Sequence, residues 1–315
     1  EQFEDGNIAS IGTILQEQRL LPGEADERGF EWHYLWSLGR NMRELQGHMT
    51  AAICAASLTP DGKTCFAISQ NGTIRCWDAG TGVLRETWNL PGKGHTFAKI
   101  NNDVTRAIFY RNGRHETLPM VVAWDLQQGR ELRRHEFFDL IIASAEIAPD
   151  GTWGVLGCQT DGISPSPVLL WSINSGEMTR MELPDSFDCP SYGINTVAIS
   201  PDGQECAVAV HSSNDGLSWL HQLFRAIVGF DAIDAVTSEP GRLLQVPQIS
   251  EWQCLKTPSA GIEKDLKYSP DGKQLLIAVS NHEHSSIEIW SRDTLQRLDA
   301  FHDAERVFDK IAFDT

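Results

Sequence analysis

The sequence predicts an all-β fold assembled from one four-stranded unit repeated five times. Three observations lead there. The turn tripeptide Pro-Asp-Gly recurs at 60–62, 149–151, 201–203 and 270–272, each time between two apolar runs. An aromatic residue followed by a short polar one recurs at Trp77-Asp78, Trp124-Asp125, Trp171-Ser172, Phe230-Asp231 and Trp290-Ser291. After each such pair comes a polar turn and a further run: VLRETWNL, RELRRHEF, EMTRMEL, RLLQV and LQRLDAF. Short apolar runs punctuated by Asp-Gly and Asn-Gly dipeptides are the signature of antiparallel hairpins, because those residues tolerate the positive φ of tight turns.

The first complete unit is SLTPDGKTCFAISQNGTIRCWD, residues 57–78. Asp61-Gly62 separates its first two strands and Asn71-Gly72 its second and third; the third ends at Trp77-Asp78, and Gly47-His48 sits upstream. This pattern resembles the WD-repeat family, whose blades are four-stranded sheets set radially in a β-propeller. The resemblance implies that His48, Ser69, Asn71 and Trp77 form a hydrogen-bonded set that ties the blade together. Asn71 departs from the family's usual Asp, which removes a charge-assisted bond from the set. His48 and Ser69 beside an Asp could be taken for a hydrolytic triad, but the family places these residues inside the blade. Gly94-His95 repeats the pattern in the second unit, and the later units have no clear His.

Successive spacings of the aromatic pairs are 47, 47, 59 and 60 residues. An uninterrupted unit needs about 40–45, so the later units carry insertions. They are expected between the second and third strands, at 111–119, 159–167, 211–224 and 280–286, and hence on one face. Enlarged loops on a rigid scaffold are where binding commonly sits. The candidate partner-binding residues there are Arg111, Arg114 and His115, the apolar group Leu217, Trp219, Leu220, Leu223 and Phe224, and His282 and His284. Trp219 and its neighbours either anchor a partner or fold back over a blade. The second unit has lost Pro-Asp-Gly and offers only Asn101-Asn102-Asp103.

Residues 1–40 differ from the rest. Ile8, Ile11 and Leu15 recur at helical spacing, and Phe30, Trp32, Tyr34, Leu35 and Trp36 crowd a second run, which predicts a helical lead-in. The propeller is expected over 41–315, with Met42–Leu45 as an outer strand. VFDKIAFDT at 307–315 reads as the start of a sixth unit, so the propeller is expected to be truncated there. RGFEWHYLWSLGR, residues 28–40, resembles the junction before the WD repeats of bacterial, planctomycete-type proteins, many of which carry a serine/threonine kinase domain. The kinase loops H-R-D and D-F-G and a glycine-rich phosphate loop are missing from these residues, so any kinase activity would reside outside them.

The composition narrows the function. A net charge of −17 disfavours nucleic acid and anionic lipid as partners, and no apolar run approaches the ~20 residues of a membrane helix. The seven cysteines are odd in number and lack a C-x-x-C pair, which fits a reducing, cytoplasmic setting. Asp61-Gly62-Lys63-Thr64 lacks the leading glycine of a phosphate loop, and His282-Glu283-His284 offers two imidazoles without a third ligand. No metal, cofactor or catalytic residue is therefore expected. The reading is a non-catalytic scaffold or sensing module that binds protein partners. Two alternatives stay open: the regulatory region of a kinase, and a propeller that takes a small molecule in its central channel.

Overall fold

A computed structural model describes residues 45, 47, 51–90, 96–112, 118–138, 140–160, 166–181, 192–214, 218–234, 243–255, 262–280 and 285–303. These form five antiparallel sheets of four strands each. The first contains β1 (Ile53–Leu58), β2 (Thr64–Ser69), β3 (Thr73–Asp78) and β4 (Leu84–Asn89). The second contains β5 (Phe97–Ile100), β6 (Arg106–Arg111), β7 (Met120–Asp125) and β8 (Arg130–Glu136). The third contains β9 (Ile141–Ile147), β10 (Trp153–Gln159), β11 (Val168–Ser172) and β12 (Met178–Met181). The fourth is β13 (Tyr192–Ile199), β14 (Glu205–Asn214), β15 (Ser218–Asp234) and β16 (Leu243–Leu255); the fifth is β17 (Ile262–Tyr268), β18 (Gln274–Ser280), β19 (Ser285–Ser291) and β20 (Arg297–Asp303). Each sheet is a meander in chain order. The first strands of successive sheets pack on one another, β1 on β5, β5 on β9, β9 on β13 and β13 on β17. First strands innermost and later strands outward is the arrangement of propeller blades. The described residues are all-β, with no helix among them, and their five sheets are consistent with propeller blades.

The core lies between blades. On β6, Ala107 and Phe109 pack toward the first blade with Phe66, Ile68 and Trp124, while Ile108 and Tyr110 pack toward the third with Ile142, Leu156 and Trp171. β14 divides in the same way, Cys206, Val208 and Val210 meeting the third blade and Ala207 and Ala209 the fifth. Alternate side chains of a strand leave opposite faces. A strand buried on both sides therefore reads as an unbroken apolar run, which is why MVVAW and VLLW look as they do. Trp124, Trp171 and Trp290 each sit in the layer toward the preceding blade.

The turns between first and second strands are built alike. Ser200 Oγ donates to Asp202 Oδ1 at 2.6 Å, Asp202 Oδ1 accepts from Gln204 N at 3.0 Å, and Ser200 Oγ accepts from Glu205 N at 3.0 Å. Thr59 with Asp61 and Ser269 with Asp271 repeat this. The second blade keeps the turn without the tripeptide. Asn101 Oδ1 accepts from Thr105 N at 3.1 Å and from Arg106 N at 2.8 Å, and Val104 takes the left-handed place of the glycine at φ 57°. A β-branched residue is strained there, and the burial of Val104 to 2% exposure offsets the strain.

The fourth blade departs from its expected layout. In the other blades the Trp of the third strand pairs with the second residue position of the second strand: Cys65 with Trp77, Ala107 with Trp124, Gly154 with Trp171 and Leu275 with Trp290. In the fourth, Cys206 pairs with Ala226, four residues before Phe230. Ala226-Ile227, and not Phe230-Asp231, closes that unit, and the layer between blades three and four takes its indole from Trp153 of the third blade. Likewise 211–224 is not a loop. It is a hairpin in which Asn214 pairs with Ser218 and Val208 with Phe224. β15 then runs past the blade, and residues 228–234 pair with 243–249, so RLLQV belongs to an overhanging ribbon at the opposite end of the strand.

Several expectations lie outside the described residues: the helical lead-in over 1–40, most of the strand over 42–45, His48, Gly94-His95, Arg114, His115, Leu217, His282, His284 and the segment 307–315.

Candidate functional site

In a four-stranded meander the first–second and third–fourth turns emerge at one end, and the second–third connections and the links between blades at the other. Two of the four expected insertions lie where they were placed, in the connections 112–119 between β6 and β7 and 160–167 between β10 and β11; the one expected at 280–286 does not, since β18 and β19 are joined by 281–284, one residue more than the 70–72 of the first blade. These connections share the second end of the disc. The fourth insertion is divided: three extra rungs (212–214 with 218–220) reach that end, and the larger ribbon leaves the other.

Two amides root these connections. Asn112, directly after β6, donates from Nδ2 to Ile142 O at 2.9 Å and accepts from Ile142 N at 2.7 Å. Gln159, at the same register position of β10, donates from Nε2 to Ile194 O at 3.2 Å. Each fastens the start of a connection to the innermost strand of the next blade. The only sequence signal is an amide residue at the end of the second apolar run.

The same end exposes large apolar side chains near the axis. Ile53 begins β1, Phe97 begins β5 and Ile141 begins β9; they are 55%, 42% and 48% exposed, and Phe138, in the link before β9, is 86% exposed. Phe97 stacks on Tyr110 with ring centroids 5.2 Å apart. The patch thus spans three adjacent blades inside the ring of connections. Sequence reasoning missed it, since nothing in an isolated aromatic between two strands says which end of a blade it occupies.

Deeper along the axis, Lys99 Nζ donates to Glu146 Oε2 at 2.7 Å, joining blades two and three. Glu146 holds the Lys99 ammonium above its ordinary pKa despite burial, and Asp265 of the fifth blade adds to this. Lys267 lies 4.0 Å from Asp265. Burial pushes the neighbouring Tyr110 hydroxyl up to about 12. A cavity of about 340 Å³ opens at the far mouth of this channel, lined by Glu146, Lys267, Tyr268 and the turn prolines 149, 201 and 270.

The named candidates are placed as follows. Ser69 is fully buried; its Oγ donates to Asn71 Oδ1 and, at 3.1 Å, to Thr73 O, and Thr73 N donates to Asn71 Oδ1 at 3.1 Å. Trp77 is 2% exposed. Ser69 and Asn71 thus close the β2–β3 turn. Arg111 departs from its expected role on an exposed rim: it is 8% exposed, its guanidinium rests against Met120 Sδ, and burial lowers its pKa. Trp219 and Leu220 occupy the extra rungs by register, whereas Leu223 and Phe224 pair within the blade, opposite Ala209 and Val208. No group of three His, Cys, Asp or Glu among the described residues could hold a metal ion, and no described helix is long and apolar enough to cross a membrane.

Comparison with known proteins agrees with this architecture. Residues 39–78 match the family model "WD domain, G-beta repeat". The fruit-fly (Drosophila melanogaster) protein groucho is 27% identical over 163 residues, half of this chain and 21% of the relative, so the chain spans about a fifth of the relative's length at most in common. Hydrazine synthase from Kuenenia stuttgartiensis superposes with a TM-score of 0.50 at 17% identity, over 75% of this chain and 64% of that one, a likeness of fold alone. A WD40 repeat domain supports a general role as a protein-interaction scaffold.

Proposed function

We propose that this propeller is a non-catalytic scaffold that captures a protein partner on the face carrying the second–third connections. The observation that carries this reading is the coincidence, on one end of the disc, of two lengthened connections with the exposed Ile53, Phe97, Phe138 and Ile141. Contiguous exposed apolar side chains rimmed by polar loops mark interaction sites on soluble proteins, and aromatic residues anchor them disproportionately. The rungs bearing Trp219 and Leu220 extend the same rim. The cytoplasmic setting belongs to this proposal, since the described cysteines are free thiols. Regulation of a kinase remains tied to residues 28–40.

The test is quantitative partner capture with wild type, Phe138→Ser and Trp219→Ala. Phe138 is so exposed that its replacement leaves the melting temperature unchanged, while capture falls by about tenfold or more if the side chain is an anchor. Undiminished recovery of the same partners by Phe138→Ser removes the apolar mouth from the binding surface.

A further inference from the structure

A second concavity lies on the opposite end of the disc, between the first and second blades. It has a volume of about 500 Å³, within the range of pockets that bury small ligands or single side chains. One wall is aromatic. Phe66 stacks with Trp88, centroids 6.5 Å apart and planes at 18°, and Gly129 of the neighbouring blade lies against the indole edge. Three carboxylates also line it: Asp61 from the first turn, Glu86 from β4 and Asp103 from the second blade's turn.

The positive charges nearby are accounted for. Arg85 also lines the cleft, but its guanidinium is paired with Asp78. Lys63 lies 3.8 Å from Asp61 with its side chain 78% exposed, too solvated to neutralise the cleft. Asp61 and Asp103 also accept hydrogen bonds within their own turns, which fixes where their charge sits. Glu86 is exposed beside Trp88 on β4. Three carboxylates beside an aromatic wall suit an extended organic cation.

From this combination we infer that the cleft between blades one and two binds an arginine side chain of a basic peptide segment, its guanidinium stacked on Trp88 and balanced by Glu86 and Asp103. Planarity favours arginine over lysine: a guanidinium stacks on an indole face and offers a fork of donors to carboxylates, whereas an ammonium is a strongly hydrated point charge. The site is independent of the apolar mouth on the other face, and the two can be occupied together.

The probe is the peptide acetyl-Gly-Ser-Arg-Ser-Gly-amide, measured by isothermal titration against the counterpart with citrulline, which keeps the shape and removes the charge. The arginine peptide binds, and citrulline weakens it by about tenfold or more. Glu86→Lys has a similar effect, and Glu86→Gln costs about two- to fivefold, the range of a solvent-screened charge pair. Glu86 is exposed, so both variants keep the wild-type melting temperature, which separates loss of binding from loss of fold. Equal affinity for the two peptides, undiminished binding by Glu86→Lys, or no saturable binding overturns the inference. So does loss of peptide binding in Phe138→Ser, which would place the peptide on the other face; Phe138→Ser that loses the partner but keeps the peptide supports both readings separately.

Discussion

Gly129→Ala tests how closely adjacent blades interlock. Gly129 lies in the β7–β8 turn at φ +63°, and a Cβ built there would fall 2.3 Å from both Cε2 and Nε1 of Trp88 and 2.7 Å from Cζ2. Two costs add. A non-glycine residue in the left-handed region costs about 1–2 kcal/mol. The indole, which packs with Phe66, must also move by about an ångström, and overpacking of this kind costs about 1–3 kcal/mol. Gly62→Ala is an internal control: its φ is +68°, with nothing within 4 Å of the added methyl. It therefore carries the backbone cost alone, about 1–2 kcal/mol. Urea denaturation followed by circular dichroism at equal m-values gives both numbers. Gly129→Ala is expected to exceed Gly62→Ala by about 1–3 kcal/mol. Equal destabilisation would mean that Trp88 does not rest on the turn of the next blade.

Arg292 joins blades five and four, donating from Nε to Glu205 Oε2 at 2.9 Å and from Nη2 to Asp202 Oδ2 at 2.7 Å. The Glu205 side chain is only 8% exposed, so Arg292→Met removes a charged hydrogen-bond donor from a buried carboxylate and should destabilise by about 2–4 kcal/mol; adding Glu205→Gln should recover part of that loss in the same urea assay, and a purely additive double variant would deny the pairing. Acid should weaken the fold through its turn carboxylates. For Asp202, burial opposes ionisation but the bonds from Ser200, Gln204 and Arg292 outweigh it. For Asp61 and Asp271 the hydroxyl bonds from Thr59 and Ser269 lead, and Asp78 is brought to about 2 first by Arg85. Folded carboxyls that titrate below the unfolded value of 3.8 stabilise the fold above that pH and release their contribution as pH falls toward about 2. The urea midpoint should thus be level from pH 7 to about 5 and decline below about 4, and a midpoint that rises on acidification would refute the assignment.

Much of the architecture was legible because local chemistry and global topology agree. Asp-Gly and Asn-Gly turns lie where strands reverse, and strands packed on both faces read as continuous apolar runs. The fourth blade was misread for a physical reason: Ala226 holds the tryptophan's register position, while Phe230-Asp231 imitates the closing pair four residues later. Only cross-strand pairing separates the two. The second blade's turn was hidden because Val104 adopts a conformation that sequence rules reserve for glycine, its burial compensating. Of the candidate site, the lengthened connections were visible as spacing. The exposed mouth and the acidic cleft were not, because both are made by residues of different blades. Arg111 looked like surface charge, and its aliphatic stem and position beside Met120 put it inside.

The placement of the core between sheets has a consequence for how such a chain can change. A side chain that lines one of these layers answers mainly to partners one repeat away in the chain, as Trp171 does to Ile108 and Tyr110. Compensating substitutions should therefore arise in pairs that straddle two repeats, and a repeat transplanted whole would bring two mismatched flanks with it. Lengthening a connection disturbs neither flank, so variation has an open route at the rims and a closed one in the wedges.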